Sequence, residues 1–468
     1  MSRQFPLYAL LMAGILSGCA SLSVKDVPIA PLSVEAGFEN EFESDLEAGT
    51  DAPLTSIPQS ALWYENYNDP TLNAIVERAR NNNLSITGAI EGLEVARAEL
   101  GIAESVLMPS LDAFLSTNLG AVSLGGGDVS TDANVGLSGL FDPDIAGGNK
   151  ARRDAARASL NAASLNVEDI QRLVVETVVL EYITLRRAGT RLALLDETLE
   201  LQRQTLEVVD ARFRAGLSPA LDVDRAAADL ARSTGQRGLF EAARKNAAYS
   251  LSVLSGEPPR SLLFEQDRAA AIPSFSGKVN LGVPTDLLRQ RPDIRQAEAE
   301  LLAASELIGA EKADLLPSLR LPGTLSAVGG DGREAVSLSL SALIDLPIFD
   351  FGRRKLEVRA QEARTNLALT RYKAALLEAQ GEVESALVTI EALKQRGMAL
   401  ETAGDRSQSA YDQLEALYRE GLASFIDILD GQRTLIQIRE QIVETDADLA
   451  SALAQLNSAL GLLGSDDN

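Results

Sequence analysis

The chain has 468 residues, with 43 Lys and Arg against 67 Asp and Glu and a formal net charge of −24, so it lacks the basic footprint that nucleic acid or an anionic lipid surface needs in a partner. Histidine is absent and cysteine occurs once, which removes the commonest general base and metal ligand and leaves no intrachain disulfide. With 46% hydrophobic but only 4% aromatic residues, the composition fits long, thin helical packing rather than a thick globular core.

Arg3 precedes a short apolar run, Phe5 to Leu16, which has the length of a signal-peptide core and is too short to span a bilayer as a helix. It leads into Leu16-Ser17-Gly18-Cys19-Ala20, which resembles a bacterial lipobox. In that reading residues 1–18 are the signal peptide and Cys19 is the lipidated first residue of the mature chain. Ala20 after the cysteine, where Asp would retain such a lipoprotein, implies sorting to the outer membrane. An ordinary signal peptide with a stray cysteine is the alternative. Residues 19–60 are acidic, carry Pro28, Pro31, Pro53 and Pro58, and show no sustained period; they read as an extended tether.

A first structural repeat is expected over residues 61–258. Trp63, Tyr64, Tyr67 and Asp69-Pro70 introduce a helix near 71–82, and Ala89, Leu93, Ala96 and Leu100 mark a second near 85–107, stopped by Pro109. The period then changes from helical to alternating. Leu111, Ala113 and Leu115, then Val135 and Leu137, alternate with polar or small residues on either side of a Gly-rich tip, predicting a β-hairpin at about 110–141. Asp128 and Asp132 begin a calcium-loop pattern that goes no further, so a surface loop is the simpler reading. A long helix follows at about 149–214, a tip at Gly216, and a return helix at about 220–254 that stops at Ser255-Gly256-Glu257-Pro258-Pro259.

Residues 259–284 form an irregular segment between the repeats, and residues 285–463 run through the same design again before a tail at 464–468. Alternation at Leu319, Leu321, Leu325 and at Val336, Leu338, Leu340 predicts a hairpin at about 318–344. A helix at about 353–419, a tip at Gly421, and a return helix with Ile428, Leu435, Ile442, Leu449, Leu456 and Leu463 seven residues apart complete it. Gly216 aligns with Gly421, and Asp222 with Asp427, at an offset of 205 residues. Helices of about 65 residues reach roughly 100 Å, longer than any compact domain needs. Strands of about 9–11 residues with one oily and one polar face suit a membrane barrel wall, with a soluble hairpin packed on helices as the alternative. Four strands cannot close a barrel, because the smallest have about eight. Several chains would therefore share one wall, and the strand count leaves their number open.

The segment Gly282-Val283-Pro284-Thr285-Asp286-Leu287-Leu288-Arg289-Gln290-Arg291-Pro292-Asp293-Ile294-Arg295 resembles the signature of TolC-like outer-membrane factors, in the lipoprotein branch that serves resistance-nodulation-division (RND) efflux pumps. The aromatic-Asp-Pro opening, the repeated Leu107-Met108-Pro109-Ser110 and Leu315-Leu316-Pro317-Ser318, Phe349-Asp350-Phe351-Gly352, the lipobox and both tips extend the resemblance over nearly the whole chain. It implies a mainly α fold with a small β part: a homotrimer sharing a 12-stranded outer-membrane barrel, four strands per chain, continued by a helical tunnel across the periplasm. The implied function is the passive exit duct of a tripartite efflux pump for drugs and toxic compounds, with no catalysis, cofactor or metal. The tips, Gly216, Leu217, Ser218, Gly421, Leu422 and Ala423, would dock a periplasmic adaptor protein fed by an inner-membrane RND transporter. The implied location is the outer membrane of a Gram-negative bacterium, lipid-anchored through Cys19 and extending into the periplasm.

Position by position, Tyr418 and Asp222 match the pair that closes the family's periplasmic mouth, while Ala423 and Leu221 stand where a second, arginine–threonine contact would be, so that contact is lost. Asp427 and Asp430 match an acidic ring that disfavours anions and attracts cations. The plainer alternative makes these four cap and turn residues, since carboxylates suit a first helical turn. As a catalytic pair Asp427 and Asp430 lack a nucleophile, a histidine and a metal ligand set. Two other functions fit the same outline: the duct of a type I protein-secretion system, and a non-conducting trimeric structural lipoprotein.

Overall fold

A computed structural model describes residues 62–122, 128–259, 261, 271–276, 289–330 and 333–461. Cys19, the tether, the Gly-rich hairpin tip, residues 282–288 of the signature and the C-terminal tail lie outside them. The helices are α1 (Pro70–Asn82), α2 (Leu84–Ser105), α3 (Gly148–Arg214), α4 (Ala220–Leu254), α5 (Pro292–Ala313), α6 (Arg353–Arg419) and α7 (Phe425–Ala459). The strands are β1 (Ser110–Val122), β2 (Asp128–Phe141), β3 (Ser318–Gly330), β4 (Arg333–Leu340) and β5 (Leu343–Asp345). The chain divides into two compact units. The described residues of one fall within 99–158 and 300–368, and those of the other within 62–98, 159–299 and 369–461.

The first unit holds the sheet, ordered β1-β2-β3-β4, with every neighbour antiparallel. The two predicted hairpins are therefore joined to each other through β2 and β3, while β1 and β4 form the edges. The register sets Ala113, Leu137, Leu325 and Leu338 in one row across the sheet and Leu115, Val135, Ala327 and Val336 in the next. The opposite face carries Asp112, Ser138, Thr324 and Ser339, then Phe114, Gly136, Ser326 and Ser337. Period-2 alternation thus yields one apolar and one largely polar face, and Leu111, Leu115, Val336, Leu338 and Leu340 all remain exposed on the apolar one.

Two local features shape this sheet. Phe114 lies over Gly136, where an added Cβ would meet the Phe114 ring at 2.8 Å and the Leu325 carbonyl oxygen at 2.5 Å; the aromatic ring covers the gap that glycine leaves in the strand. The ladder between β3 and β4 breaks at Pro322 and resumes in the same register as β5, which pairs Ser318 with Asp345. Pro322 still accepts the Ser341 N–H at 3.1 Å, but it has no N–H to return, so one strand is interrupted at its centre.

Two expectations need correction. β1 and β2 run for 13 and 14 residues, beyond the 9–11 foreseen, because pairing continues past the last apolar alternation. Asp128 and Asp132 consequently belong to β2 and not to a loop. The signature after Arg291 is the start of a 22-residue helix, α5, the counterpart of α2 in the second repeat.

In the second unit the aromatic opening is a 3-10 helix, Trp63–Tyr67. Its Trp63, Tyr64 and Tyr67 are buried with Leu72, Ile75, Val76, Val178, Val179, Tyr182 and Leu251 in one cluster, where each fully buried aliphatic side chain contributes about 1.5–3 kcal/mol relative to exposure. Asp69 caps α1 by accepting the Thr71 and Leu72 N–H groups at 2.9 and 3.2 Å, with Pro70 at the first helical position. Tyr67 donates its hydroxyl to the Ala450 carbonyl at 2.6 Å, which ties the opening of the chain to α7. Arg291, 2% exposed, is held by Asp293, Glu382 and the Ala459 carbonyl; the signature's arginine is therefore an internal strut between α5, α6 and the end of α7. No helix among the described residues is long and apolar enough to cross a membrane.

Candidate functional site: the tips of the two helical hairpins

Both long helices end in the same turn. Gly216 and Gly421 adopt φ of +72° and +78°, left-handed backbone that glycine takes without a Cβ penalty. The Leu217 N–H reaches the Arg212 carbonyl at 2.8 Å and the Gly216 N–H the Phe213 carbonyl at 2.9 Å. Leu422 and Gly421 repeat this on the carbonyls of Leu417 and Tyr418, at 2.8 and 3.0 Å. These paired bonds define a Schellman end, which satisfies carbonyls that the helix leaves open.

The return helices begin differently. Ser424 caps α7 in a capping box: its hydroxyl and N–H both donate to the Asp427 carboxylate, at 2.6 and 3.0 Å, and the Asp427 N–H returns to the hydroxyl at 3.4 Å. The Ser424 hydroxyl, and then its N–H, hold the Asp427 carboxyl below the usual carboxylate range. At the equivalent place α4 has Pro219, which makes no side-chain cap. Asp222 is therefore left half-buried, 4.0 Å from Arg225. Asp430 is exposed, and the guanidinium of Arg433, one turn along α7, is drawn first to Asp229 and then to Asp430.

Tyr418 sits in a small core with Val209, Ala226, Tyr411, Phe425, Ile428 and Leu429. The expected Tyr418–Asp222 bond is not made within the chain, because the Tyr418 hydroxyl is buried with no hydrogen-bond partner. Its ring is taken by other neighbours. Phe425 lies with its centroid 6.2 Å away, and the Arg212 guanidinium stacks over it at 4.7 Å while donating to the Tyr418 main-chain carbonyl at 3.0 Å.

Further from the tips, polar ties join the two hairpins. Gln432 donates to Thr205 at 3.2 Å, and Arg433 grips Asp229. Glu444 pairs with Arg187 and Arg191 at 3.3 and 2.6 Å. Sequence reading did not find Arg212, Asp229 or Arg433. Arg433 carried a local signal in its placement three residues after Asp430, and Asp229 a similar one in Arg232 three residues on, but neither pointed to the other.

A family model, outer membrane efflux protein, matches residues 75–257 and 283–462. The chain belongs to the outer membrane efflux protein family. This efflux-family chain is 27% identical to nodulation protein T of Rhizobium leguminosarum bv. trifolii, over 97% of the chain and 96% of that protein. It is 28% identical to the pyoverdine export outer membrane protein OpmQ of Pseudomonas aeruginosa, over 96% and 94%. Among solved structures it matches the outer-membrane channel OprN with a TM-score of 0.83 at 26% identity, covering 89% of this chain and 95% of the other. The efflux channel is an outer-membrane protein of Gram-negative type that reaches into the periplasm, with a β-barrel part and a helical tunnel part. The sheet supplies the barrel strands, and one of its faces is apolar and exposed.

Proposed function

We propose that three copies of this chain close a 12-stranded barrel and together form the passive outer-membrane duct of a tripartite pump. One observation carries the reading: a sheet ordered β1-β2-β3-β4, with β5 continuing β4 alongside β3, has one apolar face and leaves β1 and β4 as its edges. Membrane strands need a closed ring, and four strands per chain reach it only by sharing. Native mass spectrometry of detergent-purified protein should give a trimer, and a conducting monomer would overturn the reading.

In this scheme residues 1–18 are removed, Cys19 carries the lipid, residues 19–60 tether it, and the repeats 61–258 and 285–463 each contribute one strand pair and one helical hairpin, joined by 259–284. Cys19→Ala should remove the acyl mass from the mature protein, and an unchanged intact mass would count against lipidation.

The tips form the periplasmic mouth. Gly216, Leu217, Ser218, Gly421, Leu422 and Ala423 make the docking surface for a periplasmic adaptor that couples the duct to an RND transporter; exposure of Leu217 and Leu422 at both turns supports it. Asp427 and Asp430, repeated around the pore, make the acidic ring, while the nearby Arg433 is engaged by Asp229. Asp222 remains a mouth residue, facing its own Arg225 rather than Tyr418. Reversal potentials in a salt gradient should show a cation preference that Asp430→Ala weakens; unaltered selectivity would place the constriction elsewhere.

A further inference from the structure

We propose that Arg212 is the residue that holds the second hairpin's tip to the first within each chain, and so sets how readily the mouth opens. The inference rests on the reading of the tips as the mouth. Its observations lie at one side chain. The Arg212 guanidinium donates through Nη1 to the Tyr418 carbonyl at 3.0 Å and stacks on the Tyr418 ring at 4.7 Å. Its Nη2 lies 3.6 Å from where a Cβ on Gly421 would be. At the same time the Arg212 main-chain carbonyl accepts Leu217 N–H in the first turn. One residue therefore belongs to the turn of the first hairpin through its backbone and to the turn of the second through its side chain.

The contact suits a cation. The Tyr418 carbonyl lies in the last turn of α6, which is the negative end of that helix, and the aromatic face adds to the attraction. The tie runs one way only. The counterparts in the other repeat are Leu417 for Arg212 and Phe213 for Tyr418, and Phe213 is 42% exposed. The Tyr418 hydroxyl is itself unpartnered, so the contact that α6 makes here with the first hairpin runs through the Tyr418 ring and carbonyl to Arg212. Separation of the tips breaks both of its interactions with Tyr418.

The test is open-channel occupancy in planar bilayers, with trimer assembly of each variant checked first by native mass spectrometry. Loss of one charge-assisted hydrogen bond corresponds to roughly a tenfold change in a two-state ratio. Arg212→Ala should raise the open fraction by about that factor, and Arg212→Lys, which keeps the charge, by clearly less. Tyr418→Phe keeps the ring and the carbonyl and should stay close to wild type, whereas Tyr418→Leu keeps the carbonyl but loses the ring and should raise the open fraction by less than Arg212→Ala, with no further effect when added to it. Should Arg212→Ala fail to assemble, Tyr418→Leu against Tyr418→Phe tests the stacking half of the contact from the other side, with a rise in the open fraction expected for Tyr418→Leu only. Hydrogen exchange at residues 417–422 supplies the second readout. Faster exchange in Arg212→Ala with wild-type occupancy would make Arg212 a helix cap only and overturn the proposal while leaving the mouth in place. If Asp430→Ala also leaves selectivity unaltered, the reading of the mouth fails with it.

Discussion

Arg433 grips Asp229 with two parallel hydrogen bonds, Nε to Oδ2 at 3.0 Å and Nη2 to Oδ1 at 2.9 Å, joining α7 to α4 across 204 residues of sequence. Asp229 is 5% exposed and is also approached by Arg232 at 3.1 Å. A buried carboxylate deprived of its fork-shaped partner keeps its desolvation cost, while the half-exposed Arg433 is screened by solvent. Arg433→Ala should therefore destabilise the hairpins by about 1–2 kcal/mol, softened by Arg232, and the loss should shrink at high salt. Thermal unfolding in detergent at low and high salt checks this, and a salt-independent loss would assign the effect to packing.

Asp69 performs two tasks at once. One oxygen caps α1, while the other accepts the Tyr182 hydroxyl and lies 3.5 Å from the buried Arg186 guanidinium. Asp69→Ala removes both and should cost about 2–4 kcal/mol, the sum of a cap and a buried charged contact. Asp69→Asn preserves a capping oxygen and should cost about half as much. Equal losses in the two variants would show that only the charge matters.

Gly136 has no room for a side chain. A Cβ there would meet the Leu325 carbonyl at 2.5 Å and Ser326 Cβ at 2.9 Å, as well as the Phe114 ring. Gly136→Ala should shift β2 against β3, cost about 1–3 kcal/mol and reduce the yield of oligomer that resists SDS. Removing the ring through Phe114→Ala should not restore it, because the backbone clash remains. Full rescue by Phe114→Ala would mean that the ring alone excludes a methyl group.

The Asp427 carboxyl titrates below the usual range because Ser424 donates to it. A group lowered in this way contributes its full stabilisation above its ordinary value of about 3.9 and loses it as pH falls through the lowered one. Wild-type channels should keep part of their cation preference just below pH 4, and Ser424→Ala should lose that part at a higher pH. Reversal potentials measured from pH 7 to pH 3 decide it; coincident titrations would show that Asp427 does not face the ion path.

What the sequence determined alone was whatever is decided by neighbours in the chain. The change from helical to alternating period predicts where strands begin, because backbone geometry imposes both periods locally. Gly216 and Gly421 announce their turns because few other residues take a positive φ at little cost. Asp69-Pro70 announces a helix start for an equally local reason, the cap. The two-faced strands, the long hairpins and the need to share a barrel all follow from such short-range rules, together with a resemblance spread over the whole chain.

The tertiary structure decided the partners. Arg212 and Tyr418 are 206 residues apart, and nothing near either marks the other. The Tyr418 hydroxyl reads as a donor in search of a carboxylate, yet Phe425 and Arg212 pack its ring so that the hydroxyl faces into the core. Asp222 and Asp427 align in sequence, but a serine stands before one and a proline before the other, and only the serine draws its carboxylate into a cap. Which strands join the two hairpins was equally a matter of packing, since β2 pairs with β3 through a register that no local pattern contains. Periodicity tells a side chain which face it lies on; the contact it finds there depends on a segment that folding brings from half a chain away.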